Sequence, residues 1–262
     1  MEKPAEMYYN GPKGVDIMNS SYFRQLSRDH MKANLRTVLI ASLVYTAIAL
    51  FLGLLVGRLS GADEYFKIVQ DAMKSSGFDL TQLPMPKTTP LGSLFTTLLE
   101  LAASVLGGAY AGWCLMRVRG IDAGIRELFP DWRTALRLLG VLFLSGILIG
   151  LGFMLFIIPG VILLFRYALV VYLVYDQPEM GIIEIMQESG RLMKGHKMEY
   201  FLLQLSFIGW VLLAEIVESF IVVPIGSVFL NPYRGLASAY FYNSVAPQGA
   251  VGGHDSHAWF NE

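Results

Sequence analysis

Thr37-Val-Leu-Ile-Ala-Ser-Leu-Val-Tyr-Thr-Ala-Ile-Ala-Leu-Phe-Leu-Gly-Leu-Leu-Val-Gly57 is a run of 21 residues without a charge, closed by Arg36 on one side and Arg58 on the other. At about 1.5 Å of helical rise per residue, it matches a bilayer hydrocarbon core of roughly 30 Å. It is expected to be a transmembrane helix. Mixed polar sequence precedes it, with no short apolar stretch and small-residue cleavage site, so a cleavable signal peptide is not expected.

The composition points the same way. Of 262 residues, 54% are apolar and only 16% are charged, against about 25% charged in an average soluble domain. That balance excludes a disordered chain and argues against a soluble enzyme, whose surface needs those charges. A single cysteine, Cys114, excludes an internal disulfide, a thiolate zinc cluster and a CxxC centre. It reads most simply as a small buried apolar residue.

Working outward, five more spans are expected: 91–116, broken only by Glu100; 138–158; 161–175, with Arg166 inside it; 200–216; and 221–242. Span one is placed at 37–57. Pro159-Gly160 is expected to form a tight hairpin between spans three and four. The turn between the last two spans is expected where Glu215, Glu218 and Pro224 crowd together, with both glutamates near the membrane surface. The chain thus divides into a segment 1–35 with an interfacial helix, a membrane domain 36–243 with a loop at 58–90, and a flexible tail 244–262. The expected fold class is all-α: a polytopic transmembrane bundle of about six spans with amphipathic juxtamembrane helices.

The basic residues orient the bundle. Six precede span one, five lie between spans two and three and three between spans four and five, so fourteen share one side, against four in the 58–90 loop. The positive-inside bias therefore predicts a multi-pass cell-membrane protein with both termini cytoplasmic. Within the loop, Asp63 to Ser76 has helical spacing, acidic residues at its start and Gly77 past its end, and is expected to be a short capped helix. It reads first as a connector on the bilayer surface and second as a lid.

Two cytoplasmic segments look alike: Gln25, Ser27, Met31 and Lys32 recur as Gln187, Ser189, Met193 and Lys194 at a constant offset of 162. Each mixes basic residues with Leu, Met and Phe and leads into a span, as an amphipathic helix in the interface does. Two independent helices with similar needs account for this as well as a duplication does.

Ionisable residues inside spans are the candidate functional residues, because a charge in hydrocarbon costs several kcal/mol unless paired or hydrated. Glu100 shares a small, polar face of span two with Ser93, Thr97, Ser104, Gly107 and Ala111. If that face points inward, Arg166 is its expected partner, and Arg234 is expected to pair with Glu215 or Glu218. These five form a candidate charge network, read either as a substrate pathway or as internal staples. Gly108/Gly112 and Gly146/Gly150 stand at the spacing that lets helices approach closely. Asn231-Pro232 adds a helix-breaking element to the pathway reading. Arg191, Lys194, His196 and Lys197 form a candidate surface for lipid head groups at the entrance to span five. His254, Asp255 and His257 carry metal-ligand chemistry, but glycines around them favour a solvated tail. No HExxH, GxSxG, Walker or GxGxxG pattern occurs, so no catalytic, cofactor-binding or metal residue and no cofactor is expected. Arg117, Arg119, Arg126, Arg133 and Arg137 are interleaved with acidic residues, which suits topogenic and lipid contacts and not nucleic acid.

Ser189-Gly-Arg-Leu-Met-Lys-Gly-His-Lys, followed by Phe201-Leu-Leu-Gln-Leu-Ser-Phe-Ile-Gly-Trp210, resembles the signature of domain-of-unknown-function family 975, a set of bacterial polytopic membrane proteins. Pro159-Gly160 resembles its hairpin, and Pro232-Tyr233 with Phe241-Tyr242 its closing motif. The resemblance covers roughly 152–242, and the N-terminal part only in layout. It departs where a Gly/Thr-rich turn is expected and the chain has Glu215-Ile-Val-Glu218. It implies the architecture and supplies no reaction. The expected function is a non-enzymatic membrane accessory or scaffold protein whose partners are anionic lipids of the cytoplasmic leaflet, another membrane protein or itself. The alternative is a small transporter using the intramembrane Glu and Arg residues.

Overall fold

The structure is a computed structural model that describes residues 20–61, 67–69, 90–220 and 224–246. Apart from 67–69, which are helical, the expected loop helix lies outside the described residues, as does the histidine-bearing tail. All regular structure described is helical: α1 (Ser20–Ala33), α2 (Leu35–Ser60), α3 (Pro90–Val118), a 3₁₀ turn (Arg126–Leu128), α4 (Trp132–Leu155), α5 (Ile157–Arg166), α6 (Val170–Asp176), α7 (Ile182–Leu192), α8 (Lys197–Phe220) and α9 (Ile225–Val245). Segments 35–60, 90–118, 126–155, 157–176 and 197–218 are long and apolar enough to cross a membrane by length and composition. Leu43, Phe51, Leu98, Phe143, Leu151 and Leu212 are among the many large apolar side chains on the outside of the bundle, a surface that suits lipid and not water.

The sixth expected span is present as a helix of different character. α9 is 21 residues long but carries Asn231, Pro232, Arg234 and Asn243 and is not among those apolar segments. Its C-terminal half, Leu236 to Tyr242, is buried throughout, and it packs on α1, α2, α3 and α8. The C-terminal half of α9 meets protein on all sides, so it needs small and aromatic packing residues rather than a lipid-facing apolar surface. Gly235 lies against α3 so closely that a Cβ there would stand 2.8 Å from Cys114 Sγ.

Pro232 does not break α9. Proline removes the N–H that would bond the carbonyl four residues back, which is that of Val228. Ser42 of α2 supplies the missing donor, its hydroxyl lying 2.6 Å from Val228 O, and Asn231 donates to Thr46 Oγ1 of the same helix at 3.1 Å. The helix continues because its neighbour covers the exposed carbonyl.

Two turns fall elsewhere than expected. The break between α4 and α5 is at Phe156, whose backbone is extended, with φ −161° and ψ 157°. Pro159-Gly160 lies within the first turns of α5. Proline is tolerated there because the leading N–H groups of a helix have no internal partner. Gly160 has its own role: a Cβ on Gly152 would meet its Cα at 3.0 Å, so the two helices touch backbone to backbone. At the other hairpin, α8 runs through Glu215 and Glu218 to Phe220, and α9 starts at Ile225. The turn therefore follows both glutamates. Glu218 is needed as a cap: its carboxylate accepts from Ser227 N at 2.5 Å and from Ser227 Oγ at 3.0 Å, satisfying a free donor at the positive end of α9.

The two look-alike segments fold alike. The buried residues of α1 are Phe23, Ser27 and His30; those of α7 include Ile185, Ser189 and Leu192, each 162 positions later. Both serines are fully buried and donate to a carbonyl of another helix, Ser27 to Tyr233 O at 2.6 Å and Ser189 to Arg166 O at 2.8 Å. Phe23 and His30 stand about 10 Å apart along α1, yet their rings meet the adjacent residues Phe241 and Tyr240 of α9. α1 therefore crosses α9 steeply instead of running beside it.

Candidate functional site

The expected charge network does not assemble. Glu100 is exposed, as are Ser93, Thr97 and Ser104. The polar face of α3 thus points away from the bundle, and the hydroxyls of Thr97 and Ser104 turn back onto carbonyls of their own helix. Inward pointing would bury a carboxylate, and the inward positions go instead to Thr96, Gly108 and Gly112. Arg166 does not reach Glu100. It is exposed at the end of α5, beside the Tyr167 ring and across Gly190 of α7, where a Cβ would come within 2.8 Å of its Nε. Arg234 is exposed as well and donates from Nε to Gln204 Oε1 at 3.1 Å, not to Glu215 or Glu218. Glu215 is exposed and Glu218 caps α9. Of the glycine pairs, Gly108 and Gly112 face Leu138 and Tyr175, whereas Gly146 and Gly150 face open space.

The head-group set is partly neutralised by its own helices. Arg191 forms a forked pair with Glu188, 2.5 and 2.7 Å, and the guanidinium holds that carboxyl below the usual carboxylate range. His196 bonds Glu199 at 2.9 Å. Lys194 and Lys197 have no ion-pair partner among the described residues.

The densest polar assembly falls among arginines expected to make topogenic and lipid contacts. At the end of the bundle where α3, α6 and α9 finish and α2 begins, Arg119 Nη1 meets Asp176 Oδ1 at 2.7 Å, with side chains 10% and 5% exposed. Tyr242 donates to the other Asp176 oxygen at 2.5 Å, and Asn243 Oδ1 lies 3.4 Å from Arg119 Nε. Arg117 bonds Asp122 at 2.6 Å and Asn34 at 2.8 Å. The loop carrying Asp122 is pinned by Trp113, whose indole donates to Gly124 O at 2.9 Å. Arg137 of α4 completes the layer by donating to the carbonyls of Gln177 and Met180, which follow α6. Beside it, burial and the Arg117 charge lower the His30 pKa to about 4, so the imidazole is neutral as it meets Tyr240 OH at 3.0 Å.

This layer joins the two helical segments on which α1 and α7 sit. Leu169, Tyr175 and Asp176 each have a counterpart 67 residues later in Leu236, Tyr242 and Asn243, and Arg119 is held between the last pair. The signal in the sequence was the acid closing span four opposite the two arginines closing span two. Pairing them required knowing that those helix ends meet. Chemically the layer is a set of opposed fixed charges around buried aromatic rings. Among the described residues, no group of three or more His, Cys, Asp or Glu side chains is placed to hold a metal, and Cys114 is buried.

An all-α bundle with five apolar segments of membrane-crossing length among the described residues, and its charges at the ends or on the outside, defines a polytopic membrane protein. Residues 133–248 match the family described as "Protein of unknown function (DUF975)", the family whose motifs this chain resembles. No curated protein and no solved structure matches the chain.

Proposed function

We propose that this protein is a non-enzymatic accessory or scaffold protein of the cell membrane, multi-pass with both termini cytoplasmic, that binds anionic lipid or another membrane protein through its outer surface. One observation carries the reading: the exposed intramembrane charges Glu100, Arg166, Glu215 and Arg234 sit on the outside of the bundle, while the buried charges are locked together in the Arg119–Asp176–Tyr242 layer. A pathway needs ionisable groups that face a common interior. A scaffold presents them to its surroundings.

The transporter reading uses Glu100, Arg166 and Arg234, with the helix-breaking Asn231-Pro232 as an added element. The carbonyl released by Pro232 is occupied by Ser42, which counts against that added element. The test is native mass spectrometry of the protein released from native membranes in nanodiscs. Retention of anionic lipid or of a second membrane protein is expected; a bare chain retaining neither defeats the proposal.

A further inference from the structure

We infer that Arg166 and Arg234 are two anionic-phospholipid sites, each binding a lipid phosphate immediately beneath one of the crossing helices, α7 and α1. The inference rests on the lipid-binding reading above and deepens it by naming the residues and the ligand chemistry.

Depth is the first argument. An amphipathic helix at a membrane surface lies about 5–10 Å into the boundary between head groups and acyl chains. α1 and α7 keep their buried faces on the bundle and leave Arg28, Asp29 and Lys32, or Glu184 and Arg191, exposed. Because Ser27 and Ser189 bond the carbonyls of Tyr233 and Arg166, those two residues lie directly under the crossing helices. Both arginines therefore sit just below the head-group layer, within reach of it for a long side chain that extends toward the interface.

Charge is the second. Both guanidinium groups are exposed, and no ion pair among the described residues includes either. Among the described residues, Arg234 bonds through Nε to Gln204, and Arg166 lies against the Tyr167 ring and over Gly190. The outward carboxylates Glu100 and Glu215 are displaced along the bundle, and no carboxylate of α1, α7 or α8 is ion-paired with either arginine among the described residues. Glu100 and Glu215 lie about 27 Å along their helices from the end that carries the Arg119–Asp176 layer, and Arg166 about 15 Å. A bare guanidinium at that depth is costly, and a lipid phosphate is the anion the membrane supplies there, with the geometry for two parallel N–H···O bonds.

Two copies of the arrangement strengthen the case. The buried serine, the carbonyl it bonds and an arginine at or next to that carbonyl recur in both segments, with Arg and Tyr exchanged: Arg166-Tyr167 in one, Tyr233-Arg234 in the other.

The experiment is lipid retention by the full chain in phosphatidylcholine nanodiscs doped with phosphatidylglycerol, read by native mass spectrometry. Two tightly retained phosphatidylglycerol molecules are expected, with R166Q and R234Q each losing one and the double variant losing both, at least tenfold in retention. R166K and R234K keep the charge and control for folding; they are expected to retain lipid with a loss of only a few-fold. Unchanged retention in the double Gln variant overturns the inference. If retention falls instead on neutralising Lys194 and Lys197, lipid binding stands and these two sites do not. No preference for phosphatidylglycerol over phosphatidylcholine in the wild type defeats both. Displacement by inorganic phosphate at millimolar concentration overturns a lipid as the occupant.

Discussion

α1 and α7 are the same device installed twice, and they differ in what holds them down. α7 docks through Ile185, Met186, Ser189 and Leu192, an apolar face with one hydroxyl. α1 docks through Phe23, Ser27 and His30, and His30 stands where α7 has Leu192. One attachment is indifferent to pH and the other is titratable. The carbonyls they bond also differ. Arg166 O lies at the break between α5 and α6, where Val170 N turns to Tyr167 O instead, so Ser189 is its replacement donor. Tyr233 O lies inside the continuous helix α9, where Ala237 N–H already serves it.

The comparison can be broken most severely at the layer joining the two segments. Asp176→Ala leaves the Arg119 guanidinium buried without its counter-charge and Tyr242 without its acceptor, an expected loss of about 3–5 kcal/mol. Asn243→Ala, in the matching position, removes one long hydrogen bond and is expected to cost about 1 kcal/mol. Cys114 is the only cysteine and is fully buried, so its labelling by a thiol reagent in detergent reports unfolding of both variants directly. Equal losses would mean that the two segments contribute symmetrically to the layer.

A smaller effect separates the serines. Ser189→Val strands the Arg166 carbonyl, with an expected cost of about 1–3 kcal/mol, whereas Ser27→Val removes a second bond from a carbonyl that keeps its helical partner and is expected to cost about 1 kcal/mol. The same labelling assay ranks them, and the reverse order would contradict the account of the α5–α6 break.

Acid sharpens the contrast further. The folded-state pKa of His30 lies near 4, below the ordinary value of 6.5, so the folded protein resists a proton that the unfolded chain accepts. Its contribution is fully present above pH 6.5 and is lost progressively as pH falls from there toward 4. Protection of α1 amides from hydrogen exchange is expected to weaken over that window while α7 holds, and His30→Leu is expected to flatten the dependence. Parallel loss in both helices would place the titration elsewhere. The smallest effect belongs to Arg191→Ala. Its pair with Glu188 is on the surface, with side chains 63% and 20% exposed, so the loss is expected to be small and to vanish in high salt.

The residue types made much of this legible. A charge-free run such as 37–57 has one economical environment, and the family motifs from Ser189 to Trp210 agreed with it. The twin segments were visible as four repeated residues, and three matched positions, Phe23/Ile185, Ser27/Ser189 and His30/Leu192, are buried in both. The candidate network was misassigned because spacing shows which residues share a helix face but not whether that face turns in or out. Glu100 and Ser104 share a face, and it points outward. The Arg119–Asp176 pair was missed for the complementary reason: its members are 57 residues apart, and no local pattern links them.

The helical class, the apolar character of the bundle and most helix positions are legible in the residue order, because each depends on the local cost of placing apolar side chains or charges in hydrocarbon. Which charges pair, the unbroken passage of α9 through Pro232 and the crossing of α1 and α7 on buried serines emerge from the packed helices alone. Those outcomes depend on what stands across the interface: a donor such as Ser42 or an acceptor such as Asp176, supplied by another helix.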